Sequence, residues 1–530
     1  MRHFTINFQP DGRRISIHSG STLLDAANAA GIILNTPCGG KGACKKCIVI
    51  LASDQIEVLA CQYIIDRDLT VTVPLASRLF EQKILQYDLG KMIQVLPPVI
   101  KPADAAGRTY GLAVDIGTTT VVVNLVDLSS GGIVAAEADF NPQARHGDDV
   151  ISRISFAKDD RGLTELQRLI IECLNSLISA LCKKNGIDPS HICEIAAVGN
   201  TTMNHIFLHL PIAQLGHAPY KAHSLDAHDV PARELGLQIN PDANVHTVEN
   251  IAGFVGSDTV AGALAVEINL ADKPTLLVDI GTNGEIVCGS KDKLYAASCA
   301  AGPAFEGARI SRGSRAVTGA IQAVVINDND IDIDVIGDKP PQSICGSGLV
   351  DAVAVMLDLG VLDFSGRIRR VDSPAAGLPP AVARRLVAKN DQPAFVLAYD
   401  KNGRAAVTLT QQDIRQVQLA KAAIAAGIRL LLEKLNLQPD DLDRILLAGA
   451  FGNYIKPASA LRIGLLPKVA PERIHFVGNA AASGARMILL SRQARAAAGH
   501  LARKIQYVEI AHEPEFADVY TDSMTFPPHS

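Results

Sequence analysis

The 530-residue chain predicts a mixed fold, with a small α+β module first, a linker next, and a large α/β body of two similar lobes behind it. Three observations lead there. Four cysteines share a glycine-rich loop among short β-patterns before residue 75. Pro97-Pro98, Pro102 and an Ala/Gly stretch interrupt the pattern before residue 109. One strand–turn–strand motif, Asp-x-Gly-Thr, occurs at Asp115 and again at Asp279. The expected units are 1–75, a linker 76–108, a first lobe 109–272 and a second lobe 273–530.

The front module is read from its turns. His3 to Phe8 and Arg14 to His18 alternate around Asp11-Gly12, a hairpin signature. Ser21 is the expected cap of a helix from Thr22 to Ala30, stopped by Gly31. Ile48 to Leu51 and Leu69 to Val73 read as strands, completing a β-grasp pattern. Cys38, Cys44, Cys47 and Cys61 follow the spacing C-x5-C-x2-C-x13-C. Iron requires thiolates, and Gly39, Gly40, Gly42 and Ala43 let backbone N–H groups reach the sulfurs, so the spacing points to a [2Fe–2S] cage. Zinc ribbons usually pair two C-x2-C knuckles, and only one stands here. Length and the lack of a signal peptide disfavour a disulfide framework. The segment resembles plant-type and vertebrate-type ferredoxins. Its loop has one residue more than the plant C-x4-C-x2-C spacing, as in the vertebrate type.

Composition sets bounds on the rest. With 48% apolar and 20% charged residues, no tryptophan and a formal charge of −5, the chain lacks a basic nucleic-acid footprint. Ala422 to Leu432 is too short to span a bilayer and contains Arg429, so no membrane association is expected and the cytoplasm is the default. Cys173, Cys182, Cys193, Cys288, Cys299 and Cys345 have no ligand spacing and are expected to be buried thiols. Within the linker, Leu79 to Leu89 has helical character, and the segment either lets one domain swing or docks on the surface.

The body is organised by its repeat. Ala113-Val114-Asp115-Ile116-Gly117-Thr118-Thr119-Thr120 is echoed by Leu277-Val278-Asp279-Ile280-Gly281-Thr282-Asn283-Gly284, 164 positions later. Each hairpin tip offers backbone N–H groups and hydroxyls for phosphate, and a carboxylate for Mg²⁺ through its waters. Near the C-terminus a buried run enters Gly449-Ala450-Phe451-Gly452-Asn453, where Gly449 and Gly452 allow close approach to a base or ribose. No Walker A or G-x-G-x-x-G motif is present. Two Asp-x-Gly-Thr hairpins and a late Gly-Ala-Phe-Gly turn resemble the superfamily of acetate and sugar kinases, chaperone ATPases and actin. That likeness implies a two-lobed, actin-like ATPase built on ribonuclease H-like repeats.

Joined to a ferredoxin module, this ATPase resembles the reductive activators of corrinoid proteins. The likeness extends to Ala197-Val198-Gly199-Asn200-Thr201-Thr202-Met203, Ile251-Ala252-Gly253-Phe254-Val255-Gly256-Ser257-Asp258, Ala301-Gly302-Pro303-Ala304-Phe305-Glu306-Gly307-Ala308 and Ile344-Cys345-Gly346-Ser347-Gly348-Leu349. It implies ATP-dependent conversion of cob(II)alamin to cob(I)alamin on a partner protein of a methyltransferase system, an upstream electron donor, and a homodimer. Asp115 and Asp279 are the expected Mg²⁺-side carboxylates. Gly117, Thr118, Thr119, Gly281, Thr282, Asn283 and Gly284 are the expected phosphate cradle, and Gly449, Gly452 and Asn453 border the adenosine. Glu285 either positions the attacking water or is a solvent-facing strand residue. Gly346, Ser347 and Gly348 open a helix through Leu359, as an anion site or as a packing hinge. Glu306 has no role beyond the likeness. The base-off motif D-x-H-x-x-G is missing, because Pro231 stands where glycine belongs after Asp226 and His228, so the corrinoid is expected on the partner. The histidines between His205 and His246 are expected at the surface. The rival readings are a ferredoxin-fused small-molecule kinase and a nucleotide-switched interaction protein.

Overall fold

The computed structural model describes residues 3–10, 12–30, 32, 34, 42, 47–74, 77, 109–147, 149–307, 309–370, 377–389, 391–449 and 455–528. Cys38, Cys44, the expected helix at 79–89, Gly452 and Asn453 lie outside them.

The front module is a five-stranded sheet, β1 (His3–Gln9), β2 (Arg13–His18), β3 (Ile48–Leu51), β4 (Ile56–Leu59) and β5 (Leu69–Thr72), in the order β2-β1-β5-β3-β4. The expected hairpin, helix and two strands are present; β4 was not foreseen because Ile56–Leu59 is half solvent-facing and weakly alternating. The helix spans Leu23–Ala29, and its cap is Thr22, one residue later than expected. Thr22 and Asp25 exchange side-chain and backbone hydrogen bonds at 2.9 and 3.1 Å in a capping box, whereas the Ser21 hydroxyl turns to His18. Ile6, Phe8, Leu23, Val49 and Val71 form a separate small core that includes Cys47 and Cys61.

The first lobe is a six-stranded sheet of β6 (Tyr110–Ile116), β7 (Thr120–Asp127), β8 (Ile133–Phe140), β9 (Ile192–Gly199), β10 (His228–Pro231) and β11 (Asn244–Thr247), ordered β10-β11-β9-β6-β7-β8. The second lobe repeats the plan. β12 (Thr275–Ile280), β13 (Gly284–Gly289) and β14 (Leu294–Cys299) come first. After two three-stranded sheets, β15 (Ala320–Asn327), β16 (Asp330–Val335), β17 (Ser343–Ile344) and β18 (Leu386–Lys389), β19 (Gln392–Tyr399), β20 (Ala405–Thr410), the main sheet is completed by β21 (Arg444–Ala448), β22 (Ile474–Gly478) and β23 (Gln506–Tyr507). Its order is β22-β21-β12-β13-β14-β23. In both lobes the motif strand lies between its antiparallel hairpin partner and a parallel strand, β9 for β6 and β21 for β12.

Long helices cover the outer faces because their apolar residues recur at helical spacing. Asp160–Asn185 buries Leu163, Leu166, Ile170, Leu174, Leu177 and Leu181, is capped by Asp159 and ends at Gly186 in the left-handed region. Between the sheets a third core holds helices Ser257–Ala265 and Ala480–Leu490 against both, with Ala113 and Val198 from one lobe and Leu277 and Leu446 from the other. Small residues permit this crossing: a Cβ on Gly484 would sit 2.0 Å from the Ala261 carbonyl oxygen. The two helices therefore form the packed seam on which the lobes meet. Among the described residues no helix is long and apolar enough to cross a membrane, and the six scattered cysteines are buried thiols.

Candidate functional site

The two motif hairpins turn at the C-terminal ends of β6 and β12, which run parallel to β9 and β21. The first tip is closed by Gly117 N–H donating to the Thr120 carbonyl at 3.0 Å; the second is one residue shorter, with Gly281 N–H donating to Asn283 at 3.0 Å. The tips meet across the cleft, the Thr119 and Thr282 hydroxyls lying 3.2 Å apart. The structure thus brings together residues 163 positions apart in the chain.

The first tip is fastened from behind. Arg153, fully buried, donates to the Thr118 carbonyl at 2.5 Å, the Gly147 carbonyl at 3.0 Å and Gln143 at 3.1 Å. Asn141 donates to the Gly117 carbonyl at 2.9 Å, and Asn200 to the Thr118 hydroxyl at 2.8 Å. At the second tip the Thr282 hydroxyl donates to Glu306 Oε1 at 2.7 Å, which gives Glu306 a place in the site.

Beneath the tips are four carboxylates. Asp115 accepts from Asn479 Nδ2 at 2.9 Å, and burial still raises its pKa to about 6. Asp258, in the first turn of its helix, is raised to about 7 by burial and by the charge of Asp115. Asp279 is raised to about 7 by burial and then by Asp258 and Asp115. Glu285 lies opposite Asp279 in the β12–β13 register, and burial with repulsion from Asp258 and Asp279 holds it well above the usual carboxylate range. Its side chain is half-buried on β13. An all-oxygen donor set suits a hard divalent cation. Among the described residues no three His, Cys, Asp or Glu side chains are disposed to ligate one ion directly.

Two glycines show why a side chain is excluded. Gly449 directly follows β21 at φ +89°, and a Cβ there would stand 2.5 Å from Asp279 Oδ1. A Cβ on Gly348 would come 2.3 Å from the Ile321 carbonyl oxygen. Gly346, Ser347 and Gly348 are the buried first residues of helix Gly346–Asp358, and the Ser347 hydroxyl donates to the Gln322 carbonyl at 2.8 Å. These are packing contacts with β15.

In the front module Cys47 Sγ and Cys61 Sγ are 3.4 Å apart, both buried and unoxidised. That is too long for an S–S bond of about 2.05 Å. It is near the ~3.8 Å expected for two thiolates on one tetrahedral metal at ~2.3 Å each. Gln62 Nε2 donates toward Cys61 Sγ at 3.7 Å. The pair fits one side of a cysteine cage. Two of the expected surface histidines are buried instead: His205 has Nδ1 2.7 Å from the Thr201 carbonyl and is pushed down to about 4 by burial, and His246 faces Asp229 at 3.0 Å. Both close local polar contacts within the first lobe.

Asp258 stood in the block 251–258 without a role, and Asn479 and Arg153 were not singled out from sequence. Asn479 had a readable signal, an Asn directly before the apolar run Ala480–Leu490, where it caps the helix through Ala482 N–H. Arg153 had none, since its role depends on distant carbonyls.

Comparison with known proteins follows this division. Residues 6–66 match the 2Fe-2S iron-sulfur cluster binding domain, residues 110–271 the RACo middle region, and residues 273–530 the C-terminal domain of RACo, the ASKHA domain. The corrinoid activation enzyme RamQ of Eubacterium limosum is 34% identical over 97% of each chain. The chain belongs to the RACo family. A solved member-like structure, the reductive activator for corrinoid, iron-sulfur protein, superposes with a TM-score of 0.73 at 32% identity, covering 99% of this chain and 98% of that one. The [Co(II) methylated amine-specific corrinoid protein] reductase of Methanosarcina barkeri is 23% identical over 79% of this chain and 77% of its own. RACo membership accounts for an iron-sulfur module and an actin-like body in one chain, as the cysteine loop and the paired hairpins imply.

Proposed function

We propose that the chain reductively activates a corrinoid protein, passing one electron to the partner's cob(II)alamin to give cob(I)alamin, with ATP as the energy source. The observation that carries this reading is the end-to-end likeness to a corrinoid activation enzyme, in a chain whose hairpin tips meet over four carboxylates. Cys38, Cys44, Cys47 and Cys61 would hold the [2Fe–2S] cluster. When bound, the cluster supplies a one-electron carrier.

At the cleft, Asp115 and Asp279 would orient the waters of Mg²⁺, with Asp258 as a third carboxylate. Thr118, Thr119, Thr282 and Asn283 offer N–H and hydroxyl groups to phosphate, with Gly117, Gly281 and Gly284 shaping the turns. Gly346 to Gly348 would add the N-terminal end of their helix, and Gly449, with Gly452 and Asn453, would border the adenosine. Glu285, raised above its ordinary range, is suited to accept a proton from the attacking water. A one-electron deficit of about 59 mV is a tenfold equilibrium penalty, so a gap of some hundreds of millivolts needs several kcal/mol. Lobe closure on nucleotide would provide it by favouring a reducible arrangement of the partner. The upstream electron donor is a separate protein, the working form a homodimer, and the site of action the cytoplasm.

The test is a reduction assay with a corrinoid protein and a chemical donor, following cob(I)alamin absorbance with and without ATP. ATP-dependent appearance of cob(I)alamin is expected, and its failure with every corrinoid partner tried would sink the reading. A partner variant lacking its axial base refines the mechanism: if it still needs ATP, removal of that ligand is not what ATP drives.

A further inference from the structure

Among the described residues a buried polar contact joins the front module to the second lobe. His3 Nε2, at the start of β1, lies 2.7 Å from Asp334 Oδ1 on β16, and the side chains are 10% and 7% exposed. Asp334 also accepts from Gln322 Nε2 at 2.8 Å, so its carboxylate joins a residue of each domain. A buried carboxylate with two such partners is costly to leave half-paired, which makes the contact selective.

The strand register gives this contact a direction. β1 runs parallel to β5 with Gln9 opposite Thr72, and Thr72 lies opposite Ile50 of antiparallel β3. Cys47 directly precedes β3, so it lies beyond the Gln9 end of β1. Leu59 pairs with Ile48, which brings Cys61 to the same end, in agreement with its 3.4 Å approach to Cys47. His3 is therefore at the opposite end, about 20 Å away at ~3.3 Å per residue. The domain is held by its cysteine-remote end, and the cysteine end faces away from the attachment point.

The other half of the contact leads to the Gly346–Gly348 turn. Gln322 sits where the β15–β16 register slips between Ile321 and Ala323, a bulge that re-aims its side chain. Its side chain holds Asp334, while its carbonyl takes the Ser347 hydroxyl at 2.8 Å. The adjacent Ile321 carbonyl accepts Cys345 N–H at 3.0 Å and is the atom that a Cβ on Gly348 would strike. A shift of that turn cannot leave the bulge unmoved.

We propose that His3, Asp334 and Gln322 form a latch that parks the N-terminal domain on β15–β16 by its cysteine-remote end, and that ligand occupancy at the Gly346–Gly348 turn releases the latch through the Gln322 bulge. The second half rests on the nucleotide reading above; the first does not.

The test uses the full chain and two measurements, amide hydrogen exchange over 320–335 and the radius of gyration by small-angle scattering. His3→Ala and Asp334→Asn each speed exchange over 330–335 roughly tenfold and enlarge the radius of gyration, in line with loss of a buried charge-assisted bond. Cluster visible absorption stays that of the unmodified chain, because His3 is far from the cysteines, which excludes unfolding as the cause. Asp332→Asn, on the same strand but bonded to Asn327 at 2.8 Å, changes neither measurement. Adding the Mg²⁺ complex of the non-hydrolysable β,γ-imido analogue of ATP to the unmodified chain moves both readings toward those of His3→Ala, and Gln322→Ala abolishes that response. Unchanged exchange and radius in His3→Ala and Asp334→Asn overturn the latch. Calorimetry on the same samples separates the remaining cases. Binding of the analogue with no change in either reading, or an intact response in Gln322→Ala, overturns the release route. No binding at all overturns the nucleotide reading, and with it the release route, while the variants alone still decide the latch.

Discussion

The two Asp-x-Gly-Thr hairpins share a strand pattern and differ in what holds them. The first tip is tied by Arg153, Asn141 and Asn200, and its Asp115 has a donor in Asn479. At the second tip, Asp279 receives no side-chain hydrogen bond among the described residues and faces Glu285 across the ladder. In the first lobe the residue opposite Asp115 is Val122. The two copies of the motif thus differ in their surroundings: one is braced by side-chain donors, the other crowds carboxylates against each other. Repeats in sequence do not imply equal chemistry, because charge and bracing come from residues outside the motif.

Neutralising the two aspartates tests this difference directly. Asp279→Asn should lower ATP turnover by about 10²–10³-fold, the scale of losing a preorganised charge at the reacting centre. Asp115→Asn should cost roughly tenfold less, since Asn479 already shares that charge. Steady-state ATPase of both variants gives the comparison; equal losses would mean that the tips are equivalent. Glu285→Gln should follow at about 10²-fold in kcat with little change in KM, as expected for a proton acceptor.

The bracing of the first tip is tested at Arg153. Arg153→Met removes a buried cation and leaves the Thr118 and Gly147 carbonyls without their donor, a loss of about 3 kcal/mol. Chemical denaturation should show the lower midpoint, and nucleotide affinity should fall because the loosened tip must be reordered on binding. Thr282→Ala, which removes the hydroxyl contacts of the second tip to Glu306 and Thr119, should cost much less stability.

Much of this arrangement could be read from the chain, for identifiable reasons. The hairpins were legible because buried β-runs flank a turn that only a few residue types permit, and the cysteine loop because metal ligation constrains spacing. Glu285 was visible but ambiguous, since one strand cannot reveal what it faces. Asp258 and Arg153 act on the site from 143 and 38 positions beyond Asp115, and Arg153 lies in no motif of its own that periodicity could find. The cap at Thr22 in place of Ser21 was a local competition, decided by His18 taking the Ser21 hydroxyl. The buried His205 and His246 were misjudged because histidine carries no burial signal apart from its neighbours.

A pH series sharpens the contrast between a crowded and a relieved field. Asp115, Asp258 and Asp279 have folded values near 6 to 7 against about 3.8 when unperturbed. Between about pH 4 and 7 the folded chain therefore holds more protons than the unfolded one, and ligand-free stability falls as pH rises through that window. Mg²⁺ with nucleotide displaces these protons, so its affinity should rise with pH, by up to about tenfold per unit for each proton displaced. Thermal unfolding with and without Mg²⁺–nucleotide from pH 5 to 8 should show curves that diverge as pH increases. Parallel curves would place the cation away from these carboxylates.

The smallest expected effect concerns the point where the hairpins touch. The Thr119 and Thr282 hydroxyls are 3.2 Å apart, and Thr282 has already committed its proton to Glu306 at 2.7 Å, so Thr119 must be the donor between them. A neutral hydroxyl pair at a partly exposed cleft contributes about 0.5–1 kcal/mol. Thr119→Val and Thr282→Val should then show a coupling of that size in a double-mutant cycle on ligand-free stability, and none once nucleotide phosphate separates the tips. A coupling that survives saturating Mg²⁺–nucleotide would mean that the tips stay joined and that phosphate does not enter between them.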